Sequence, residues 1–346
     1  MTKNTTLKDI AEASGVSITT VRKALNNQGK ISEEIRKKII RIARELHYTP
    51  NKLAQAMVRD TLKIGVLIPS HPATFFDYIE DGAKKAFLEL KNYNVDGIIF
   101  RTNSIEESMH IWTNFYESDV AGVFSCFSGD VNPGCAEIQK KYPNKKMPIV
   151  AAVHPPLDDT ETIGNIYVQG RTTGAIAAQF LSKILPKGSK TVVCIPDDIT
   201  TNHVESVEAF REGCRQGGLA YQKQYIMQFR SDKEWETAEQ ILREFPDIRG
   251  IYVGSNNAYL LCKFFESKGM TEKIQIIGHD LHPGLAECIE KGSLVATLFQ
   301  NQREDACKGI IGLSDYITGS EVGFASLKHR PELVMQANLH AYEGLY

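Results

Sequence analysis

Four side chains near the N-terminus have the types and spacing needed to read the edges of DNA bases: Ile18, Thr19, Arg22 and Lys23. On a helix they point away from the stripe made by Val21 and Leu25, since residues three and four apart share a face. A guanidinium or an ammonium can donate to guanine O6 and N7, and an isoleucine can touch a thymine methyl. The charge balance suits an anionic partner. Residues 1–60 hold twelve Lys and Arg against six Asp and Glu, while the remainder holds 28 against 36 within a net charge of −2. A basic head on an acidic body draws a polyanion to the head alone, and a solvated charged face is the plainer alternative.

Base reading requires elements that present those side chains. Thr6-Leu7-Lys8-Asp9 has the form of a capping box, and Leu7, Ile10 and Ala11 recur at helical spacing. Gly15 can take the left-handed conformation that ends this first helix. A second helix is expected from Ser17 to Asn26 with Val21, Ala24 and Leu25 inward, broken by Asn26-Asn27-Gln28-Gly29. A third starts at Ser32, with Glu33 and Glu34 at its positive end and Lys37, Lys38, Arg41 and Arg44 toward its negative end. Its apolar stripe is Ile35, Ile39, Ile42 and Leu46. Two short helices, a tight turn and a supporting helix make a helix-turn-helix, whose second helix lies in the major groove. A three-helix bundle serving protein contacts is the competing reading.

The run Leu7-Lys8-Asp9-Ile10-Ala11 to Gly15-Val16-Ser17, then Thr20-Val21, Leu25-Asn26 and Tyr48-Thr49-Pro50-Asn51, resembles the lactose/galactose repressor family without a gap. The resemblance implies DNA contacts from Thr6, Ser17, Thr20 and Asn26 beside Ile18, Thr19, Arg22 and Lys23. Where that family has Val-Ser-Arg, this chain has Val21-Arg22-Lys23, so no operator sequence carries over.

Asn51-Lys52-Leu53-Ala54-Gln55-Ala56-Met57 suits two turns of helix, with Pro50 acceptable at the first position. So short a helix is marginal alone in water. The resemblance implies a hinge that folds on DNA beside its dimer partner through Asn51, Lys52, Leu53 and Ala54, with Met57 as an apolar wedge in the minor groove. An ordinary interdomain linker is the alternative.

From Lys63 the pattern changes. Short apolar runs at Lys63–Pro69, Val95–Phe100, Val120–Phe127, Pro148–Val153, Thr191–Ile195, Gly250–Gly254, Ile274–Gly278 and Val295–Phe299 alternate with helical patterns. That alternation predicts parallel sheets covered by helices on both faces. About ten strands exceed one doubly wound domain, so two subdomains are expected, with a ligand site beyond the carboxyl ends of the strands.

Pattern and resemblance together give the expected fold: an all-α helix-turn-helix head on two doubly wound parallel-sheet subdomains, an α/β core that the resemblance implies is periplasmic-binding-protein-like. The head spans 1–49, the hinge and linker 50–61, and the sensing and dimerisation domain 62–346. The resemblance implies a division of the core at about 62–168 with 296–322, and 169–295 with 323–346. The resemblance continues at Ile64–Pro69 with Phe75-Phe76, at Gly278-His279-Asp280, and at Thr297 with Gln300. It implies that Asp280 accepts hydrogen bonds from ligand hydroxyls and that Phe75 or Phe76 stacks on a sugar face. Asn256 and Gln300 offer paired donors and acceptors for a polyol, and Arg101 and Asn103 end the second strand. Three departures break the neutral-sugar pattern: Ser206 stands near the place of an arginine, Asn256-Asn257 replaces Asn-Asp, and Gln169 replaces an aspartate.

Nothing in the spacing singles out a catalytic set, a cofactor loop or a metal site; His279-Asp280-Leu281-His282 lacks a fourth ligand. Seven scattered cysteines, with no CxxC pair, and a polar N-terminus point to a reduced cytoplasmic protein. The leading expectation is a homodimeric regulator of a double-stranded DNA operator, a repressor or activator, gated by a sugar or sugar derivative and needing no cofactor. A carbohydrate-binding protein with an interaction module as its head is the alternative, and an enzyme on the doubly wound core the third.

Overall fold

The computed structural model describes all residues except 1–4, 26–30, 47, 49–55, 58, 128–133, 157, 198, 229–230, 320–323 and 325–326, with 231–234 and 327–329 described by backbone alone. The head contains α1 (Leu7–Ser14), α2 (Ile18–Leu25) and α3 (Glu33–Glu45). Thr6 and Asp9 close the capping box: the Thr6 N–H donates to Asp9 Oδ2 at 2.7 Å and the Asp9 N–H to Thr6 Oγ1 at 3.4 Å. Gly15 ends α1 at φ +71°, a conformation that other residues resist. Ser17 Oγ then accepts the Thr20 N–H at 3.1 Å and starts α2. The three helices bury Ile10, Val21 and Ile39 completely. α3 also satisfies its neighbours' ends, Lys38 Nζ donating to Ser14 O at 2.9 Å and an Arg36 nitrogen to Ala24 O at 3.3 Å.

The core begins with β1 (Leu62–Pro69), α4 (Ala73–Leu90), β2 (Val95–Thr102), α5 (Ile105–Glu117), β3 (Val120–Cys126), α6 (Cys135–Lys141), β4 (Ile149–Ala152) and β5 (Gly164–Val168). It continues through α7 (Gly170–Ile184), β6 (Lys190–Pro196), α8 (Thr201–Gly217), β7 (Ala220–Met227), α9 (Ser231–Glu244) and β8 (Ile248–Val253). Then come α10 (Ala258–Ser267), β9 (Gln275–His279), α11 (Pro283–Glu290), β10 (Ala296–Phe299), α12 (Gln302–Ile317), β11 (Leu327–His329) and β12 (Glu332–Val334).

Two six-stranded sheets result, ordered β11-β5-β4-β3-β1-β2 and β12-β10-β9-β8-β6-β7. Every pairing is parallel except β10 with β12. Central strands such as β3 and β8 are buried along most of their length, as sheets covered on both faces require. All seven cysteines lie free and buried in these cores. Among the described residues no helix is long and apolar enough to cross a membrane.

The two sheets correct the expected division of the core. The chain first passes between them at Gln169. β10 stays in the second sheet, so the second crossing falls after Phe299 and not at 296. β11 pairs with β5 in the first sheet, so the return comes between His329 and Glu332 and not at 323. Strands β5 and β7 escaped the sequence pattern. The first is five residues with alternating burial, and the second is an edge strand, Ala-Tyr-Gln-Lys-Gln-Tyr-Ile-Met, whose polar middle leaves only Tyr225-Ile226-Met227 as an apolar stretch.

Candidate functional site

Two regions collect polar side chains. On the head, Ser17, Ile18, Thr19, Arg22 and Lys23 are exposed along α2, opposite buried Val21 and Ala24, while Thr20 is half-buried. Thr6 is exposed, its hydroxyl bonded to Asp9 at 2.7 Å. Asn26, Asn51, Lys52, Leu53 and Ala54 lie outside the described residues. Met57 is 86% exposed, unusual for so apolar a side chain.

The second region is a cavity of about 240 Å³ between the two subdomains. Nearly every polar group in it follows the carboxyl end of a strand. His71 comes after β1, Val153 and His154 after β4, and Asp197 after β6. Ser255 and Asn256 follow β8, Asp280 follows β9 and Gln300 follows β10. That is where parallel strands leave space, because their helices turn away there. Asn202, His203 and Ser206 enter from the first turns of α8. α8 comes this close because α7 presents Gly170 and Gly174 to it; a Cβ at Gly174 would stand 2.0 Å from Ser206 O.

Asp280 is the most constrained group. It is 5% exposed, and its backbone sits at φ +65°, where a side chain is strained. Neighbouring strands hold it: its N–H donates to Leu298 O at 2.8 Å, and Thr297 Oγ1 donates to its carbonyl at 2.6 Å. The carboxylate accepts from Gln300 Nε2 at 2.5 Å and from Gln302 Nε2 at 3.4 Å. Burial pushes its pKa up to about 7, against the help of the Gln300 hydrogen bond. Val153, across the cleft, is also left-handed at φ +70°. Two strained side-chain-bearing residues therefore face one cavity.

Two imidazoles of the lining, His154 and His279, are kept neutral. Burial drives His154 down to about 3, with His203 and His279 nearby adding to the effect, and drives His279 to about 4. His154 Nδ1 lies 3.3 Å from Asn202 Nδ2 and 3.4 Å from Thr200 Oγ1, joining the first subdomain to the second. His282 Nδ1 accepts the Gly284 N–H at 3.2 Å, so its Nε2 carries the proton donated to Asn256 O at 3.2 Å. Two buried polar atoms on the lining have no partner, Ser255 Oγ and His279 Nε2. Ser206 Oγ stands 3.0 Å from Tyr252 OH and 3.4 Å from Thr173 Oγ1.

The cavity brings together Phe75, Phe76, Asn256, Asp280 and Gln300, five of the seven candidates taken from the sequence. The two phenylalanines pack edge to face at 5.0 Å. Arg101 and Asn103 are not on its lining. The Arg101 guanidinium is committed to Glu80 and Asp77, each at 2.6 Å, and Asn103 is an exposed residue whose N–H donates to Glu107. His71, His154, Asn202, His203 and Ser255 escaped the sequence reading. The signal available for His154 and Ser255 was their place just after the predicted strands Pro148–Val153 and Gly250–Gly254.

A helix-turn-helix head on two parallel-sheet lobes, with a polar cavity between them, defines a ligand-sensing DNA-binding protein. Comparison with known proteins agrees. Residues 64–320 match the periplasmic binding protein domain, and residues 6–51 match the bacterial regulatory proteins of the lacI family. The chain belongs to that family of DNA-binding transcription regulators. It is 24% identical over 286 residues to catabolite control protein A of Priestia megaterium, covering 80% of this chain and 82% of the relative. It is 26% identical over 317 residues to the ribose operon repressor of Bacillus subtilis, covering 89% and 91%. The fold is similar to that of a solute-binding protein from Bacillus halodurans solved with myo-inositol, with a TM-score of 0.73 and 18% identity over 83% of this chain and 99% of the other.

Proposed function

We propose that this regulator is a homodimer that reads a near-palindromic operator through α2 and is controlled by a small hydroxylated effector bound between its subdomains. The observation that carries the reading is Asp280, a strained and buried carboxylate at the floor of a cavity shared by both lobes. A ligand there touches both subdomains and stabilises one relative arrangement of them; only that difference in affinity can shift the DNA-competent population. The names of the relatives support a sugar or a related polyol as the effector.

In the same reading Ser17, Ile18, Thr19, Arg22 and Lys23 meet the major groove, and exposed Met57 supplies the minor-groove wedge of the hinge. The protein acts in the cytoplasm, where its operator lies, and performs no catalytic step. Selection of bound fragments from random DNA tests the head directly. An inverted repeat is expected; recovery of unrelated sequences would refute a two-fold reader of specific DNA.

A further inference from the structure

The charge of the cavity is lopsided. Asp280 and Asp197 bring two carboxylates to its lining, and no lysine or arginine lies there among the described residues. Arg101 is spent on Glu80 and Asp77. The remaining candidates for positive charge are the imidazoles of His71, His154, His203 and His279, and burial holds those of His154 and His279 neutral. The donors that reach the Asp280 carboxylate are the uncharged carboxamides of Gln300 and Gln302. A buried carboxylate left with neutral donors is costly, and burial accordingly raises the Asp280 pKa; a cation arriving with the ligand would favour the charged form again.

An anionic effector meets the opposite situation. A phosphorylated sugar or a sugar acid would enter beside two aspartates, without the guanidinium or ammonium that ordinarily recognises such groups. The unpartnered atoms agree with a donor-rich ligand. Ser255 Oγ can accept a hydrogen bond, and His279 Nε2 can do so in the tautomer that leaves it unprotonated. At about 240 Å³ the cavity is smaller than the roughly 300–1,000 Å³ of sites for drug-sized molecules, which suits a single sugar ring.

We propose that the effector is a hydroxylated amine of monosaccharide size, its ammonium group held by Asp280 beside Ser255 and His279. This rests on the reading of the cleft as the effector site and narrows the chemical class that the site takes. Asp197, exposed at the lining, adds long-range attraction for the cation and repels anions.

Isothermal titration of the full chain at neutral pH with matched sets of sugars tests it. Each set holds one hexosamine, its N-acetyl derivative, the parent hexose and the hexose 6-phosphate. At least one free amine should bind tenfold or more tighter than its three uncharged or anionic counterparts. Asp280→Asn, with a melting curve confirming its fold, should erase that preference, and Asp197→Asn should reduce it. A hexose or phosphate binding as tightly as the amine would overturn the proposal while leaving the sugar-responsive regulator intact. Failure of every compound at millimolar concentration would count against both.

Discussion

The Asn256 carboxamide reaches across the cleft and donates to Thr74 Oγ1 at 2.8 Å, joining residues that are 182 positions apart in the chain. Asn256 belongs to the second subdomain and is pinned from behind by His282; Thr74 opens α4 of the first. Together with the His154, Thr200 and Asn202 contacts, it holds the two lobes around the cavity. A net hydrogen bond contributes about 0.5–1.5 kcal/mol. Thr74→Val removes it without altering the lining, so the effector should bind roughly two- to tenfold more weakly if closure and binding are linked. An unchanged dissociation constant by calorimetry would show that the bridge has no part in closure.

Gly174 and Ser206 set the position of α8. A methyl group at residue 174 meets the Ser206 carbonyl backbone, which cannot give way as a flexible side chain would. Gly174→Ala should cost about 1–3 kcal/mol of stability and push Asn202, His203 and Ser206 out of register with the cavity. Urea unfolding measures the first effect. Full stability would mean that the helices slide apart freely.

The buried imidazoles predict acid sensitivity. His154 and His279 titrate near 3 and 4 in the folded chain against an ordinary 6.5. Between those values the unfolded chain binds more protons, so stability falls as pH drops from about 6.5 toward 4. Asp280 works in the other direction, because its raised pKa lets the folded chain hold the extra proton between about 4 and 7. Two histidines against one carboxylate leave a net loss on the acid side. The melting temperature should decline with acidification through this window, and His154→Gln should flatten the slope. Equal slopes for both proteins would remove His154 from the account.

On the head, exposed Lys23 stands opposite the buried face of α2. Lys23→Ala should weaken specific binding by about 1–3 kcal/mol and relax one position in each half-site. Equal losses on operator and random DNA would make Lys23 a phosphate contact.

Much of the fold was legible because period and punctuation are local. Thr6 with Asp9, Gly15 and the Val21 stripe mark the head, and the apolar runs of β1, β3 and β8 mark buried parallel strands. β7 was hidden because an edge strand can be polar, and the crossings after Phe299 and His329 because strand partners are chosen by tertiary pairing. Of the residues that line the cavity, Asp280 was proposed from its Gly278-His279 context and Asn256 from its chemistry. Arg101 was proposed from its place at the end of the second strand, but Glu80 and Asp77 on α4 hold its guanidinium away from the lining. His203 and Asn202 enter the cavity through the packing of α8 on Gly170 and Gly174, a close approach with no local signature.

The measurement closest to the central claim is operator affinity of the full chain, by fluorescence anisotropy, with and without the tightest compound from the hexosamine and hexose sets. Coupling between the cleft and the head should change that affinity roughly five- to 150-fold, the usual range for allosteric regulators. Asp280→Asn should retain the ligand-free affinity and lose the change. The same affinity with and without a saturating ligand that demonstrably occupies the cleft would contradict the account.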